Sequence, residues 1–379
     1  MFSALVVMED SGAGMALGEL AATSQQVLVL KILDRVPATQ YEIARLASME
    51  PDFVFLDLRT PESAIDLVQK IHGSNAAPAI VGLSSNLPPS WRERFEEAGV
   101  AAFLEVPMAQ DSFESSIRDA IHKVRAAVSD KVSVFLPSKA GSGSTTIALN
   151  IAGAFGTALG KKTLLIEADL HSGVLSTLLN VSPLLPIVDA LARAGDLDYS
   201  MWTKLVVQAA GMDVLLTDRA KVRPLPSWMN YHQLLRFALG RYDQIVVDLP
   251  EVINDATEEL VRNAHAILLI CTPELLSLTL ARNRLAELSR RQIPSERVHV
   301  VLNRWQRQDM TQEDAEEFLK YKVVTTLPND YKSVNNAILG GALIPPETEL
   351  GRGIAALAKW LAGGPLEVPK PKGSSWFGR

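Results

Sequence analysis

One residue in 379 is a cysteine, Cys271. No intrachain disulfide can form, which is the usage of a reducing compartment. Cys271 closes the apolar run Ala266-Ile267-Leu268-Leu269-Ile270-Cys271 and reads as a packed core thiol rather than a nucleophile. Histidine is scarce as well: His72, His122, His171, His232, His265 and His299 show no metal-ligand spacing. No apolar run approaches the ~20 residues that span a bilayer. Residues 1–7 lack the basic n-region of a signal peptide and meet Glu9-Asp10 at once. A cytoplasmic protein is the expectation. Positive charge is also short, with 37 Lys and Arg against 43 Asp and Glu and a net charge of −6. Proteins that grip nucleic acid through phosphates are usually basic, so this balance gives no strong nucleic-acid signal.

What is present is an ordinary globular composition, 47% hydrophobic and 21% charged, with length enough for two domains. Short apolar runs lie at 4–8, 27–30, 53–56, 79–83 and 101–104, with amphipathic stretches at 38–47, 61–72, 90–97 and 111–124. This alternation predicts a parallel sheet covered on both faces, with any chemistry at the carboxyl ends of the strands. Those ends carry Glu9-Asp10, Asp57 and Ser84-Ser85. Alternation resumes at Val132, with runs at 132–136, 163–166, 212–216, 244–247, 266–271, 298–302 and 323–327. Most are Val/Ile/Leu-rich throughout, the pattern of a parallel sheet buried on both faces. His299 falls inside one of them and reads as a packed or edge histidine. The expected fold is α/β, two doubly wound parallel-sheet domains at 1–127 and 128–364, then a disordered tail at 365–379. In that tail Lys370, Lys372, Trp376 and Phe377 leave peripheral membrane or partner contact open, although Pro365, Pro369 and Pro371 make a poor amphipathic helix.

The stretch that organises the chain is Ser138-Lys139-Ala140-Gly141-Ser142-Gly143-Ser144-Thr145-Thr146, between the run at 132–136 and a helical pattern at 147–159. Strand, glycine loop and helix N-terminus form a phosphate cradle, because backbone N–H groups and the helix dipole favour an anion there. The strict pattern G-x-x-x-x-G-K-[ST] is not met. Ser138 stands in place of the first Gly and Ser144 in place of the Lys, while Lys139 sits at the mouth of the loop. Acids follow two of the buried runs, Glu167-Ala168-Asp169 and Asp248, and an Asp facing a phosphate loop is what a Mg²⁺ site in a nucleotide hydrolase needs. Thr145 is placed to ligate the same metal.

These residues resemble the deviant Walker A ATPases of the MinD/ParA family, whose loop reads K-G-G-x-G-K-T-T. Lys139 to Thr146 match it except at Ala140 and Ser144. The resemblance implies ATP and Mg²⁺ as cofactors and a homodimer in which Lys139 reaches the partner's nucleotide. It implies that Asp169 orients water and joins the metal site, that Asp248 is the Walker B acid, and that Asn303, Arg304, Pro328 and Asp330 lie on the adenine side. The likeness covers 131–363. The first third is similar to a response-regulator receiver domain, a flavodoxin-like fold. Glu9-Asp10, Asp57, Ser84 and Pro107 fall on its functional places in order, but Val106 stands where the family's Lys would be. A receiver-like domain ahead of a MinD/ParA-like one resembles the TadZ/CpaE pilus-assembly proteins, polar localisation factors for Flp/Tad-type pili. That implies other pilus-assembly proteins as partners and a place at the pole or the inner face of the membrane.

Loss of the loop lysine removes charge that would stabilise the β- and γ-phosphates, a loss on the order of 10²–10³-fold in catalysis. The expectation is ATP acting as dimer glue, with slow or absent hydrolysis. Two alternatives stand beside it: a ParA/MinD-like cycling ATPase, and a response regulator with an ATPase-like output domain.

Overall fold

The computed structural model describes residues 2–24, 27–37, 39–47, 49, 51–72, 78–109, 112–113, 130–218, 226–306 and 310–366. The chain divides into two compact units, Met1–Ala127 and Val128–Arg379. Most of the helix expected at 111–124 and the tail residues Lys370, Lys372, Trp376 and Phe377 lie outside the described residues.

Unit 1 is a parallel sheet of β1 (Phe2–Val7), β2 (Val27–Leu33), β3 (Phe53–Asp57), β4 (Ala79–Leu83) and β5 (Val100–Leu104). Its order, β2-β1-β3-β4-β5, is that of the flavodoxin-like doubly wound fold. The helices are α1 (Ser11–Ser24), α2 (Gln40–Ala47), α3 (Pro61–His72) and α4 (Pro89–Ala98). Thr39 and Glu42 form a capping box at the start of α2, with Oγ1 accepting the Glu42 N–H and the carboxylate accepting the Thr39 N–H. The buried face of α1 is Gly14, Leu17 and Ala21, mostly small residues, and at Gly14 and Gly18 the helix runs close to Ile32.

Unit 2 is an eight-stranded sheet in the order β13-β12-β11-β6-β10-β7-β9-β8. Its strands are β6 (Val132–Pro137), β7 (Thr163–Glu167), β8 (Val206–Ala209), β9 (Met212–Leu215), β10 (Gln244–Asp248), β11 (Ala266–Cys271), β12 (Val298–Trp305) and β13 (Val323–Pro328). The central strands bury alternate residues in separate cores. Val132, Val134 and Leu136 of β6 face one, with Ile245, Val247 and Cys271, while Phe135 faces the other with Leu165 and Val246. That double burial is why these strands read as continuous apolar runs. Cys271 is fully buried, and burial pushes its thiol up to about 12. His299 packs edge-on against Trp360, and burial holds it down at about 4.

The sheet is parallel, as expected, except at one edge. β8 pairs antiparallel with β9, closing the sheet with a strand of four residues that carries no sequence signal of its own. The stretch before it is filled by α6 (Leu175–Leu179), α7 (Ile187–Ala192) and α8 (Tyr199–Leu205). The remaining helices are α9 (Trp228–Leu239), α10 (Asp255–Arg262), α11 (Leu275–Arg290), α12 (Gln312–Leu319), α13 (Tyr331–Gly340) and α14 (Glu349–Leu361). A further helix, α5 (Ser144–Thr157), leaves β6 through the glycine loop at the middle of the sheet, next to the strand ends that carry the acids.

Candidate functional site

The loop between β6 and α5 is shaped by two glycines in the left-handed region, Gly141 at φ +80° and Gly143 at φ +90°. A Cβ on Gly143 would collide with the side-chain amide of Asn303, whose Nδ2 donates to the Ser142 carbonyl at 2.8 Å. Ser138 is fixed at the floor: its N–H donates to the Ile270 carbonyl at 2.9 Å, and its hydroxyl lies 2.9 Å from Ser277 Oγ. Ser277 Oγ also accepts the Thr272 N–H at 2.9 Å. The serine that replaces the first pattern glycine is therefore a structural tie.

Buried polar atoms collect around this loop without partners: Ser142 Oγ, Ser144 Oγ and Asp248 Oδ1. Thr145 is hydrogen-bonded to the Asp248 carboxyl. Burial is the largest influence on Asp248 and raises its pKa to about 8, with Glu167 and Asp169 adding repulsion and the Thr145 bond working the other way. Unpaired buried polar groups are uncommon in a finished interior, so three beside one loop mark a place built to receive something polar. Among the described residues no cluster of three or more acidic, histidine or cysteine side chains forms a metal cage. Mg²⁺ seldom uses one, since it keeps waters and ligand oxygens beside one or two protein groups.

Of the three acids at the strand ends, Glu167 is spoken for. It is fully buried, and its two oxygens accept the N–H groups of Leu175 at 2.7 Å and Thr217 at 2.8 Å. It ties the start of α6 to the residues just after β9 rather than facing the loop, which leaves Asp169 and Asp248 as the acids beside the site. Asp169 lies half-buried beyond β7, with Oδ1 accepting from the N–H groups of His171 at 3.1 Å and Ser172 at 2.8 Å.

A cavity of about 440 Å³ opens beside the loop, lined by Gly143, Thr146, Asn303, Arg304, Pro328 and Asp330 among others. The structure thus brings the residues expected on the adenine side into one place with the loop. Asp330 also caps α13, accepting the Ser333 N–H at 3.0 Å. Tyr331, an exposed aromatic at the rim, was not foreseen.

Two glutamates were also unforeseen. Glu251 Oε2 accepts the Ala140 N–H at 2.8 Å, and Glu274 Oε2 lies 3.6 Å from Lys139 Nζ. Neither carries a local signal, since each meets the loop across more than a hundred residues of sequence. Beside them Val252, Leu275 and Leu276 are 67%, 64% and 69% exposed, an apolar fringe at the loop mouth.

In unit 1, Asp10, Asp57, Ser84, Val106 and Pro107 line one cavity of about 670 Å³ at the carboxyl end of the sheet. Glu9 stands at its edge, accepting from the Thr60 hydroxyl at 3.2 Å. Asp57 is buried and is clasped by Arg59, whose Nε and Nη2 reach Oδ2 at 2.9 and 2.6 Å while its backbone N–H donates to Oδ1 at 3.0 Å. Arg59 also lies 3.8 Å from Asp10. Its pKa is raised, chiefly by the hydrogen bond to Asp57. Val106 supplies no cation to this cavity, and the cation on Asp57 is Arg59, two residues further along the chain.

No family model matches the chain. An uncharacterized ATP-binding protein of Methanocaldococcus jannaschii is 28% identical over 207 residues, 53% of this chain and 75% of that protein. The ParA family ATPase of Chlorobium tepidum superposes with a TM-score of 0.56 at 20% identity, covering 61% of this chain and 99% of its own. The MinD cell division protein of Aquifex aeolicus gives 0.53 at 24% identity, covering 63% of this chain and 100% of its own. The fold is a ParA/MinD-like P-loop NTPase fold.

Proposed function

We propose that unit 2 binds ATP with Mg²⁺, and that the nucleotide holds two copies of the chain together with slow or absent turnover. The observation that carries this reading is the cradle itself: a left-handed glycine loop with Ser142 Oγ, Ser144 Oγ and Asp248 Oδ1 left unanswered around it. The ParA/MinD-like fold supports it, as does similarity to a protein named for ATP binding. The residues present fit the group. Thr145 and Asp248 would hold the metal with Asp169 nearby, the loop from Lys139 to Thr146 the phosphates, and Asn303, Arg304, Pro328 and Asp330 the base. Bound ATP supplies a phosphoanhydride that a water can attack. Against that chemistry Ser144 offers a hydroxyl where a lysine charge belongs, a difference on the order of 10²–10³-fold in rate. Lys139 is the cation left at the loop, and its ion pair with the 63%-exposed Glu274 is of the weak surface kind. That leaves Lys139 able to exchange one copy's glutamate for another copy's phosphate. The apolar fringe of Val252, Leu275 and Leu276 supports burial of this face against a second copy.

The place of a receiver-like unit ahead of this one supports the finer reading of a localisation factor for Flp/Tad-type pilus assembly. In it other pilus-assembly proteins are the partners, and the site of action is the pole or the inner face of the membrane. Among the described residues no helix is long and apolar enough to cross a membrane. A fluorescent fusion followed with and without the pilus machinery tests this: a distribution unaffected by its removal sinks the pilus role. For the nucleotide role, the measurement is ATPase rate and oligomeric state with ATP, for wild type and Lys139→Ala. Brisk hydrolysis, or a dimer unchanged by Lys139→Ala, defeats the glue mechanism.

The second reading, a ParA/MinD-like ATPase cycling on DNA, draws on the same fold. The basic content of 289–297 is thin, only Arg290, Arg291 and Arg297: Arg291 pairs with Glu258 and Glu287, Arg297 donates to the Arg262 carbonyl, and Arg290 makes a long 3.4 Å contact with the Ala286 carbonyl. A gel shift with non-specific duplex DNA separates the two.

A further inference from the structure

Resting on the nucleotide reading above, we infer that Glu251 is a built-in competitor for the third phosphate and makes the site discriminate against triphosphates in favour of diphosphates. The cavity meets the loop at Gly143 and Thr146 and is also lined by Glu274, the carboxylate 3.6 Å from Lys139, whereas Lys139 and Ala140 do not themselves line it. A nucleotide with its base in the cavity lays its phosphates along the loop from Gly143 towards Ala140. The first two fall over the start of α5, where the helix dipole and free N–H groups favour them. Only a third would reach the Ala140 N–H, next to Lys139, the cation offered to the partner copy's phosphate.

Both of those groups are already answered by carboxylates. Glu251 accepts the Ala140 N–H at 2.8 Å, the short bond expected of an anion on a backbone donor, and Glu274 stands 3.6 Å from Lys139 Nζ. The backbone at Glu251 is held, because its carbonyl accepts from the Arg284 guanidinium and Pro250 precedes it. Its side chain, half-buried, is therefore the part that has to move when an anion arrives. The position that would carry a second loop cation is Ser144, 4% exposed with its hydroxyl unpaired, and the cation that is present, Lys139, already faces Glu274. Two like charges about 5 Å apart at an effective dielectric near 20 repel by roughly two orders of magnitude in binding. Solvent at the half-open mouth reduces this to about tenfold. A diphosphate, ending short of Ala140, escapes it.

The test uses the full chain with Mg²⁺-ADP and with Mg²⁺-AMPPNP, which is not hydrolysed, titrated by calorimetry into wild type, Glu251→Gln and Glu251→Ala. Wild type is expected to prefer ADP by about tenfold, and both substitutions to tighten AMPPNP about tenfold while moving ADP less than about threefold. Glu251 is not part of the core, and a melting curve for each variant verifies that the fold is kept. An AMPPNP-to-ADP ratio that is the same in all three chains overturns the role of Glu251 and leaves the nucleotide reading standing. If neither nucleotide binds any of the three, the nucleotide reading itself falls.

Discussion

Both units place a charged site at the carboxyl ends of a parallel sheet, and both answer that charge from within, with opposite sign. In unit 1 a buried acid, Asp57, is closed by a cation that bonds both its oxygens. In unit 2 an anion-seeking loop is held by two carboxylates, through one hydrogen bond and one long ion pair. The strength of the answer differs more than its sign. Arg59 sits two residues from Asp57 on the same loop, and at the 3%-exposed acid it leaves no oxygen unpaired. Glu251 and Glu274 come from separate elements and leave three buried polar atoms unsatisfied around the loop they touch. A site whose internal counter-ion satisfies it is finished. A site whose counter-ions leave orphans is waiting.

The contrast can be broken at several points, and the largest effect is expected at Ser144. Ser144→Lys restores the missing charge and should raise steady-state ATP turnover by about 10²-fold, read by phosphate release. An unchanged rate would mean that the loop is slow for another reason. Next comes Asp248. With its pKa raised to about 8, a ligand that needs the carboxylate competes with a proton. Mg²⁺-ATP affinity should fall up to about tenfold per pH unit from 8 to 6 in wild type, and Asp248→Asn should lose that slope along with most of its binding. The stability of the unliganded protein runs the opposite way. A carboxyl raised from its ordinary value stabilises the fold at low pH and loses that contribution as pH rises from about 4 through about 8. Urea unfolding at pH 5 and 8, with Asp248→Asn as the flat control, measures it.

Unit 1 offers the next test. Arg59→Ala strands a buried carboxylate, and a loss of about 1–3 kcal/mol in urea unfolding is expected, more than an exposed ion pair would give. A loss near zero would mean that the clasp is ornamental and unit 1 is as open as unit 2. The smallest effect is a predicted nothing: acetyl phosphate should not label Asp57 in the wild-type chain. Labelling would revive the response-regulator reading and erase the contrast between the sites.

The fold was largely legible in the sequence, because double burial writes each central strand as an apolar run, and the ends of β6, β7 and β10 carry the glycine loop and the acids. Lys139, Thr145 and Asp248 could be placed by that grammar alone. What escaped it has common physical causes. β8 is four residues long at an edge, and Val206 on one core and Val207 and Ala209 on the other are only partly buried, too few to write a run. Glu167 looks like its neighbour Asp169 on the page, and only the positions of the Leu175 and Thr217 N–H groups show that it is a structural anchor. Glu251 and Glu274 act across distant stretches of chain, where spacing carries no information. Arg59 was in plain view two residues after Asp57, but a basic residue there looks like any solvated charge before a helix.

Ser277 Oγ touches Ser138 at the floor of the loop and belongs to the first turn of α11. That same turn begins with the exposed pair Leu275 and Leu276. The floor of the loop and the apolar surface beside it are thus joined through one helical turn, so the cradle and the face another molecule would meet share a single hydroxyl contact.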